Sequence, residues 1–248
     1  MSILFNLKKE QQQLMPLFDG AFIENKPIPF PENRTTQAYS NLFYWAHLEA
    51  NETSEFPLHF HKGFEIMTFV FKGSVEHFDT ASNIYTPLNA GDMQVIQANS
   101  GVQHSERITK GTELFQIWFD PDCSKSFKKE PSCKDYSKDS FKSEEIDGIK
   151  RVFYLKQKEP IEYITKDIDI EKLSFDVGKY IETLDKHYMY SYYLLDGKVK
   201  LNDEVVQKDG FIVLYNLESV NIAVYKDAEL FVIKTPLNIE YKRFIDRY

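Results

Sequence analysis

No apolar run between Leu42 and Asp120 is long enough for an ordinary helix before a turn residue interrupts it. FEIMTFVF, residues 64–71, stops at Lys72-Gly73. SVEHFDT, residues 74–80, alternates with period two and stops at Ala81-Ser82-Asn83. Asn89-Ala90-Gly91-Asp92 makes another turn before MQVIQA, residues 93–98, and ELFQIWF, residues 113–119, closes the region. Short alternating or fully apolar segments separated by turn chemistry predict strands, and their number predicts a sandwich or barrel. The rhythm returns after Arg151. There Asp196-Gly197 predicts a hairpin, and Asn202-Asp203 and Asp209-Gly210 predict tight turns. The two stretches share a strand-turn spacing, which predicts a duplicated β unit.

Between them, residues 123–149 are rich in Ser, Lys and Asp and show almost no apolar periodicity, so they read as a polar linker. At the start, Pro27, Pro29 and Pro31 alternate in IENKPIPFPEN and predict an extended arm. The expected organisation is an N-terminal domain with its arm over residues 1–122, a linker over 123–149 and a C-terminal domain over 150–248. Twenty Phe and fifteen Tyr suit strands with stacked aromatic faces.

A net charge of −8 without a basic stripe argues against direct nucleic-acid binding. Cys123 and Cys133 are too few for a disulfide scaffold and complete no zinc pattern, so free surface thiols in a reducing cytoplasm are expected. The first residues lack the apolar core of a signal peptide, and no run is long enough to cross a bilayer, so a cytoplasmic location without membrane attachment is the expectation.

Three of the six histidines stand where a metal site needs them. In His59-Phe60-His61 the two imidazoles are i and i+2, which places both on one face of a strand. His104-Ser105-Glu106 repeats the spacing with an imidazole and a carboxylate. Brought together, the pairs supply three nitrogens and one oxygen and leave positions open for water, substrate or dioxygen. Such a set suits Fe(II), Mn, Ni, Co or Cu better than a closed structural zinc site. Glu65 competes for the fourth position through the H-x-H-x-x-x-E spacing. On an unbroken strand it would sit about 13 Å beyond His61, and only a bulge at Gly63 would shorten that. Glu106 needs no such device. His47, His77 and His187 lack comparable partners and read as surface or packing residues. Phe60, Phe64, Met67 and Phe115 are candidates for an apolar pocket wall.

At these residues the chain resembles the pirin family of bicupins. His59 to Glu65 matches an HPHRGFET-type segment. Gly73, His77, Asp79 and Asn83 match a G-x-x-x-H-x-D-x-x-G/S-N run, Ala90 to Gln94 a PGD-x-Q turn, Gly101 to Glu106 a GxxHSE segment, and Leu114 to Phe119 an LQLW strand. Phe60 and Lys62 depart from the usual proline and arginine, and Asn99-Ser100 from a more glycine-rich turn, so substrate preference could differ.

The resemblance implies an all-β fold of two tandem cupin (double-stranded β-helix or jelly-roll) barrels, the second without a metal. It assigns His59, His61, His104 and Glu106 as ligands to one divalent transition metal, iron foremost, with Cu, Mn, Ni, Co and Zn as alternatives. Two functions follow from it: oxidative cleavage of flavonols such as quercetin by dioxygen with Glu106 as general base, or an iron-dependent redox-sensing regulator acting through protein partners. The enzyme requires an open metal-lined cavity wide enough for three rings, the regulator a closed or very small one.

Overall fold

A computed structural model of the chain describes residues 2–30, 38–156 and 161–247; Pro31 of the expected arm lies outside them. Among the described residues the chain forms two compact all-β units. Each has the cupin architecture, as expected.

The first unit comprises Gln13–Ser140, Pro160–Lys166 and Glu240–Tyr248. A seven-stranded antiparallel sheet runs in the order Ser132–Tyr136, Met93–Gln97, Glu65–Lys72, Glu113–Phe119, Leu42–Ala50, Phe22–Ile28, Gln13–Leu17. A four-stranded sheet runs Ser54–His61, Val102–Ile108, Ser74–Asp79, Tyr85–Asn89. Phe22, Leu48, Val70 and Leu114 of the larger sheet pack with Val75, Leu88 and Ile108 of the smaller, which closes the sandwich over a common apolar layer. Gly73, with φ +72°, carries the chain from one sheet to the other. The strands read from the sequence at residues 64–71, 74–80, 93–98 and 113–119 all form, with ends shifted by one residue at most.

The second unit comprises Met1–Gln12, Phe141–Glu159 and Asp167–Ile239. Two long strands, Tyr188–Leu201 and Ser219–Pro236, pair along most of their length. Ser219–Pro236 also pairs with Gly178–Thr183 at one end and with Asp169–Phe175 at the other, so the sheet bends around a core that includes Tyr192, Leu194, Leu201, Ile212, Ile222 and Leu230.

Four expectations require correction. Residues 123–149 are not a linker. They hold a short helix (Cys123–Ser126) and two edge strands. Ser132–Tyr136 pairs with Met93–Gln97 in the first unit, Lys142–Ile146 pairs with Ile149–Leu155 in the second, and the division falls after Ser140. Edge strands face solvent and are guarded by Lys and other polar side chains, which is why their composition imitates a loop. The N-terminal segment likewise does not stay with the first domain: Ser2–Leu7 adds to the second unit by pairing with Phe211–Tyr215, while the C-terminal residues return to the first. Pro27 falls within the strand Phe22–Ile28, where the register with Leu42–Ala50 shifts between Asn25 and Ile28; proline is tolerated at such an irregularity because no ladder hydrogen bond is asked of it.

Asp196-Gly197, expected as a hairpin, is a bulge inside Tyr188–Leu201. The register with Ser219–Pro236 slips on both sides of it. Asp-Gly serves a hairpin turn and a bulge equally well because both demand a left-handed backbone. Gly197 has φ +94°, and a Cβ there would lie 2.7 Å from Ala228 Cα. Gly197→Ala is expected to destabilise the protein by about 1–3 kcal/mol through backbone strain alone, with the steric contact adding to it. The shift in urea midpoint measures this. The turns at Asn202-Asp203 and Asp209-Gly210 form as expected, with Asn202 and Asp209 at positive φ.

Candidate metal centre

The site is built where Ser54–His61 pairs with Val102–Ile108. His104 stands opposite His59, and Val102 opposite His61. Two residues, Pro57 and Leu58, face the single Ser105, so the register slips by one just beside the histidines. The freed carbonyl of Pro57 lies 2.8 Å from His59 Nδ1. A carbonyl only accepts, so this contact places the ring proton on Nδ1 and turns the Nε2 lone pair outward. The ring centroids of His59, His61 and His104 are 4.3–5.0 Å apart. One ligand atom from each lies within 4.8 Å of the others.

The electrostatics favour neutral imidazoles. Burial holds His61 down at about 3, with the neighbouring His59 adding to the effect. Burial and the adjacent histidines likewise push His104 well below its ordinary value. His61 Nε2 and His104 Nε2 are buried and have no hydrogen-bond partner among the described residues. Leaving such atoms unsatisfied costs roughly 1–3 kcal/mol each. A divalent metal takes neutral imidazole nitrogens as ligands and would satisfy both, so the residues present fit one.

His77 was missed by the sequence reasoning. It is buried, and its Nε2 lies 3.2 Å from His104 Nδ1. With a metal on the unpartnered His104 Nε2, the ring proton would sit on Nδ1 and donate to His77 Nε2. His77 then carries its own proton on Nδ1, which is 3.8 Å from Asp79 Oδ2 and 4.0 Å from Cys133 Sγ. Asp79 is in turn anchored by the backbone amides of Ala81 and Ser82. Strand pairing of Ser74–Asp79 with Val102–Ile108 brings these residues behind the site. The only signal in the sequence was the H-x-D spacing itself. Partners of this kind typically carry a tenfold to hundredfold share of metal affinity. His77→Leu is expected to lower affinity by roughly that factor, and His77→Gln, which keeps an acceptor, to restore most of it. Competition with a chromophoric chelator reads both.

Glu106 lines the same cavity as His59 and His61 but lies outside the mutually close histidine group. Its two carboxylate oxygens accept from Gln116 Nε2 at 3.2 and 3.3 Å. Gln116 is oriented by Trp118, whose Nε1–H donates to the amide oxygen at 3.0 Å. Burial raises the Glu106 carboxyl to about 7; the Gln116 hydrogen bond opposes the shift and Glu24 adds to it. Glu65 is occupied elsewhere. Its carboxylate accepts from the backbone amides of Ile164 and Thr165 at 2.6 and 2.7 Å.

The cavity measures about 240 Å³, a little below the roughly 300–1,000 Å³ usual for small-molecule sites. Its aromatic wall is Tyr44 stacked on Trp118, with centroids 4.1 Å apart. Of the expected wall residues, Met67 and Phe115 are fully buried in the core, Phe60 is 58% exposed, and Phe64 supports the wall from behind by stacking on Trp118. Alternation named the apolar positions but not which face meets the cavity. His47 packs against Phe115, and His187 is exposed. Of the expected surface thiols, Cys123 is buried, with its Sγ 3.8 Å from Asp120 Oδ1, and Cys133 is half-buried. No helix among the described residues is long and apolar enough to cross a membrane.

The Pirin family model matches residues 29–119. A Zymomonas mobilis protein whose name marks it as a candidate quercetin 2,3-dioxygenase is 28% identical over 190 residues, covering 74% of this chain and 77% of the relative. Quercetin 2,3-dioxygenase of Escherichia coli K12 is 41% identical over 70 residues, 27% of this chain and 30% of that one. Among solved structures, that of YhhW from Escherichia coli superposes with a TM-score of 0.80 at 17% identity, covering 96% of this chain and 99% of YhhW. The complex described as bacterial pirin YhhW with nickel(II) gives 0.78 at 18% identity, covering 94% and 98%. The family match, with the clustered histidines inside it, identifies residues 29–119 as a Pirin domain, and the likeness to solved structures extends the cupin fold over the full chain.

Proposed function

We propose that His59, His61, His104 and Glu106 hold one divalent transition metal and that the protein is a dioxygenase acting on flavonols such as quercetin. Iron is the metal we favour. Nickel is supported by its presence in the YhhW complex, and Cu, Mn, Co and Zn suit the same donors. The observation that carries the reading is Glu106: a buried carboxylate, held by Gln116, that lines one cavity with His59 and His61. A carboxylate fixed beside the histidines is placed to accept a proton from a substrate hydroxyl bound in that cavity. The names of the relatives support the substrate class.

When bound, the metal supplies Lewis acidity toward the substrate oxygen and a centre for dioxygen chemistry. The remaining work falls to the chain. Glu106 takes the proton of the flavonol hydroxyl. Gln116 keeps that carboxylate in place, its own orientation set by Trp118. Tyr44 and Trp118 offer a flat apolar face to an aromatic ring and keep water from the reacting end.

The test is quercetin consumption in air by the purified protein, with bound metals quantified on the same sample and the His59→Ala/His104→Ala double variant as control. Turnover that follows metal content and vanishes in the control supports the dioxygenase. A metal-loaded protein without turnover overturns it and leaves the redox-sensing regulator as the alternative.

A further inference from the structure

One feature of the cavity is absorbed neither by metal binding nor by proton transfer. Phe22–Ile28 sends Glu24 and Lys26 into it, so that an ion pair lines the same space as His59, His61 and Glu106. Both side chains are buried, at 7% and 3% exposure. Lys26 Nζ is 3.0 Å from Glu24 Oε2, 3.4 Å from Met15 Sδ and 5.2 Å from the centre of the Tyr44 ring. The Tyr44 hydroxyl reaches Glu24 Oε1 at 3.5 Å. Stability is a weak reason for such a pair. A buried ion pair is often no better than well-packed apolar residues of the same volume, because desolvation offsets the Coulomb gain. The surrounding walls, Met15, Leu17, Leu48 and Leu114, show how readily apolar residues fill the neighbouring positions.

An ammonium beside a carboxylate presents a strong donor next to a strong acceptor. A hydroxyl is the complementary group, since its oxygen accepts from the ammonium while its proton is donated to the carboxylate. Two vicinal hydroxyls on an aromatic ring match the pair still better, one meeting each partner, and the Tyr44–Trp118 stack supplies a flat surface for the ring that carries them. The pair is neutral overall and offers a charged ligand no net attraction to offset its desolvation, so it favours neutral hydroxylated groups over charged ones.

We propose that Lys26 and Glu24 form a specificity subsite that reads hydroxyl groups on the substrate remote from the hydroxyl that reacts, so that the substrates are polyhydroxylated aromatics. This deepens the flavonol reading and rests on it. In quercetin the group read is the vicinal dihydroxyphenyl ring; 3-hydroxyflavone keeps the reacting hydroxyl and lacks that pair.

The experiment compares binding of quercetin and 3-hydroxyflavone to the metal-loaded full-length protein by titration calorimetry without oxygen, then turnover of each in air. The same measurements are made on the Lys26→Met/Glu24→Gln double variant, which removes both charges together and leaves neither buried alone. The wild type is expected to bind quercetin roughly 10–100-fold more tightly, the range for hydrogen bonds to charged groups. The double variant is expected to lose that preference while binding 3-hydroxyflavone as before. Equal binding of the two ligands by the wild type overturns the subsite, and this needs no variant to fold. Equal losses for both ligands in a folded variant overturn it too. Preferential binding without turnover sinks the dioxygenase and leaves the subsite standing, whereas turnover without preference does the reverse. Binding of neither flavonol refutes both.

Discussion

His104→Ala is expected to reduce metal affinity by at least roughly 100-fold, beyond the upper end of what a residue behind the ligands contributes. His104 sits at the centre of the arrangement. Its ring faces His59 across the strand pair, lies 5.0 Å from His61 and contacts His77 on its far side. Truncation removes a ligand and also leaves His77 Nε2 without its partner in a buried place. Metal content after purification, with the circular dichroism spectrum to confirm folding, measures the effect. Retention of a full equivalent of metal by a folded His104→Ala protein would refute the three-histidine site. The exposed His187 provides the control: His187→Ala is expected to leave metal content unchanged.

Glu106→Gln separates chemistry from binding. An amide cannot take the substrate's proton, so kcat is expected to fall by roughly 10²–10⁴, the usual share of a general base, while three imidazoles keep most of the metal. Turnover at the wild-type rate would exclude Glu106 as the base. The same variant makes a second expectation about the metal-free protein. Burial raises the Glu106 carboxyl from 4.5 to about 7, so the folded state binds its proton more tightly than the unfolded chain does. Its contribution to stability is therefore complete below pH 4.5 and is lost as pH rises toward about 7. That loss is on the order of 3 kcal/mol. Metal-free Glu106→Gln should lack this part of the decline, and at pH 8 should be the more stable protein in urea. Glu65, raised to about 7 mainly by its burial, imposes a decline of the same sign in both proteins, so the difference between them isolates Glu106.

Much of the first barrel was legible because its physics is local. Strand period and turn residues are properties of neighbouring positions, which is why the runs at residues 64–71 and 113–119 and the turns at Gly73, Gly91 and Asn202 appear where the chain shows them. The i, i+2 spacing of His59 and His61 sets their common face before any partner is known. The family resemblance added which strands return to one another. Edge strands were not legible. Ser132–Tyr136 and Lys142–Ile146 carry polar residues because one side of each faces water, and polarity alone does not distinguish an edge from a loop. Nor was the bulge at Asp196-Gly197, since the same dipeptide serves a turn when the flanking strands pair with each other and a bulge when both pair with a third.

The sequence by itself determined the all-β class, the repeat of one strand-turn spacing in two halves and the residue types of the candidate metal site, because each depends on residue type and short-range spacing. Tertiary structure alone decided what surrounds that set. His77 came to lie behind His104 through the pairing of Ser74–Asp79 with Val102–Ile108, and Gln116 came to hold Glu106 across ten residues of chain. The Lys26–Glu24 pair reached the same cavity from a segment that read as an extended arm. The assignment of Glu65 to Ile164 and Thr165, about a hundred residues away, was settled the same way. Burial is what gives these groups their chemistry, by desolvating charges and excluding competing water. Burial is a property of the assembled fold, not of any stretch of sequence.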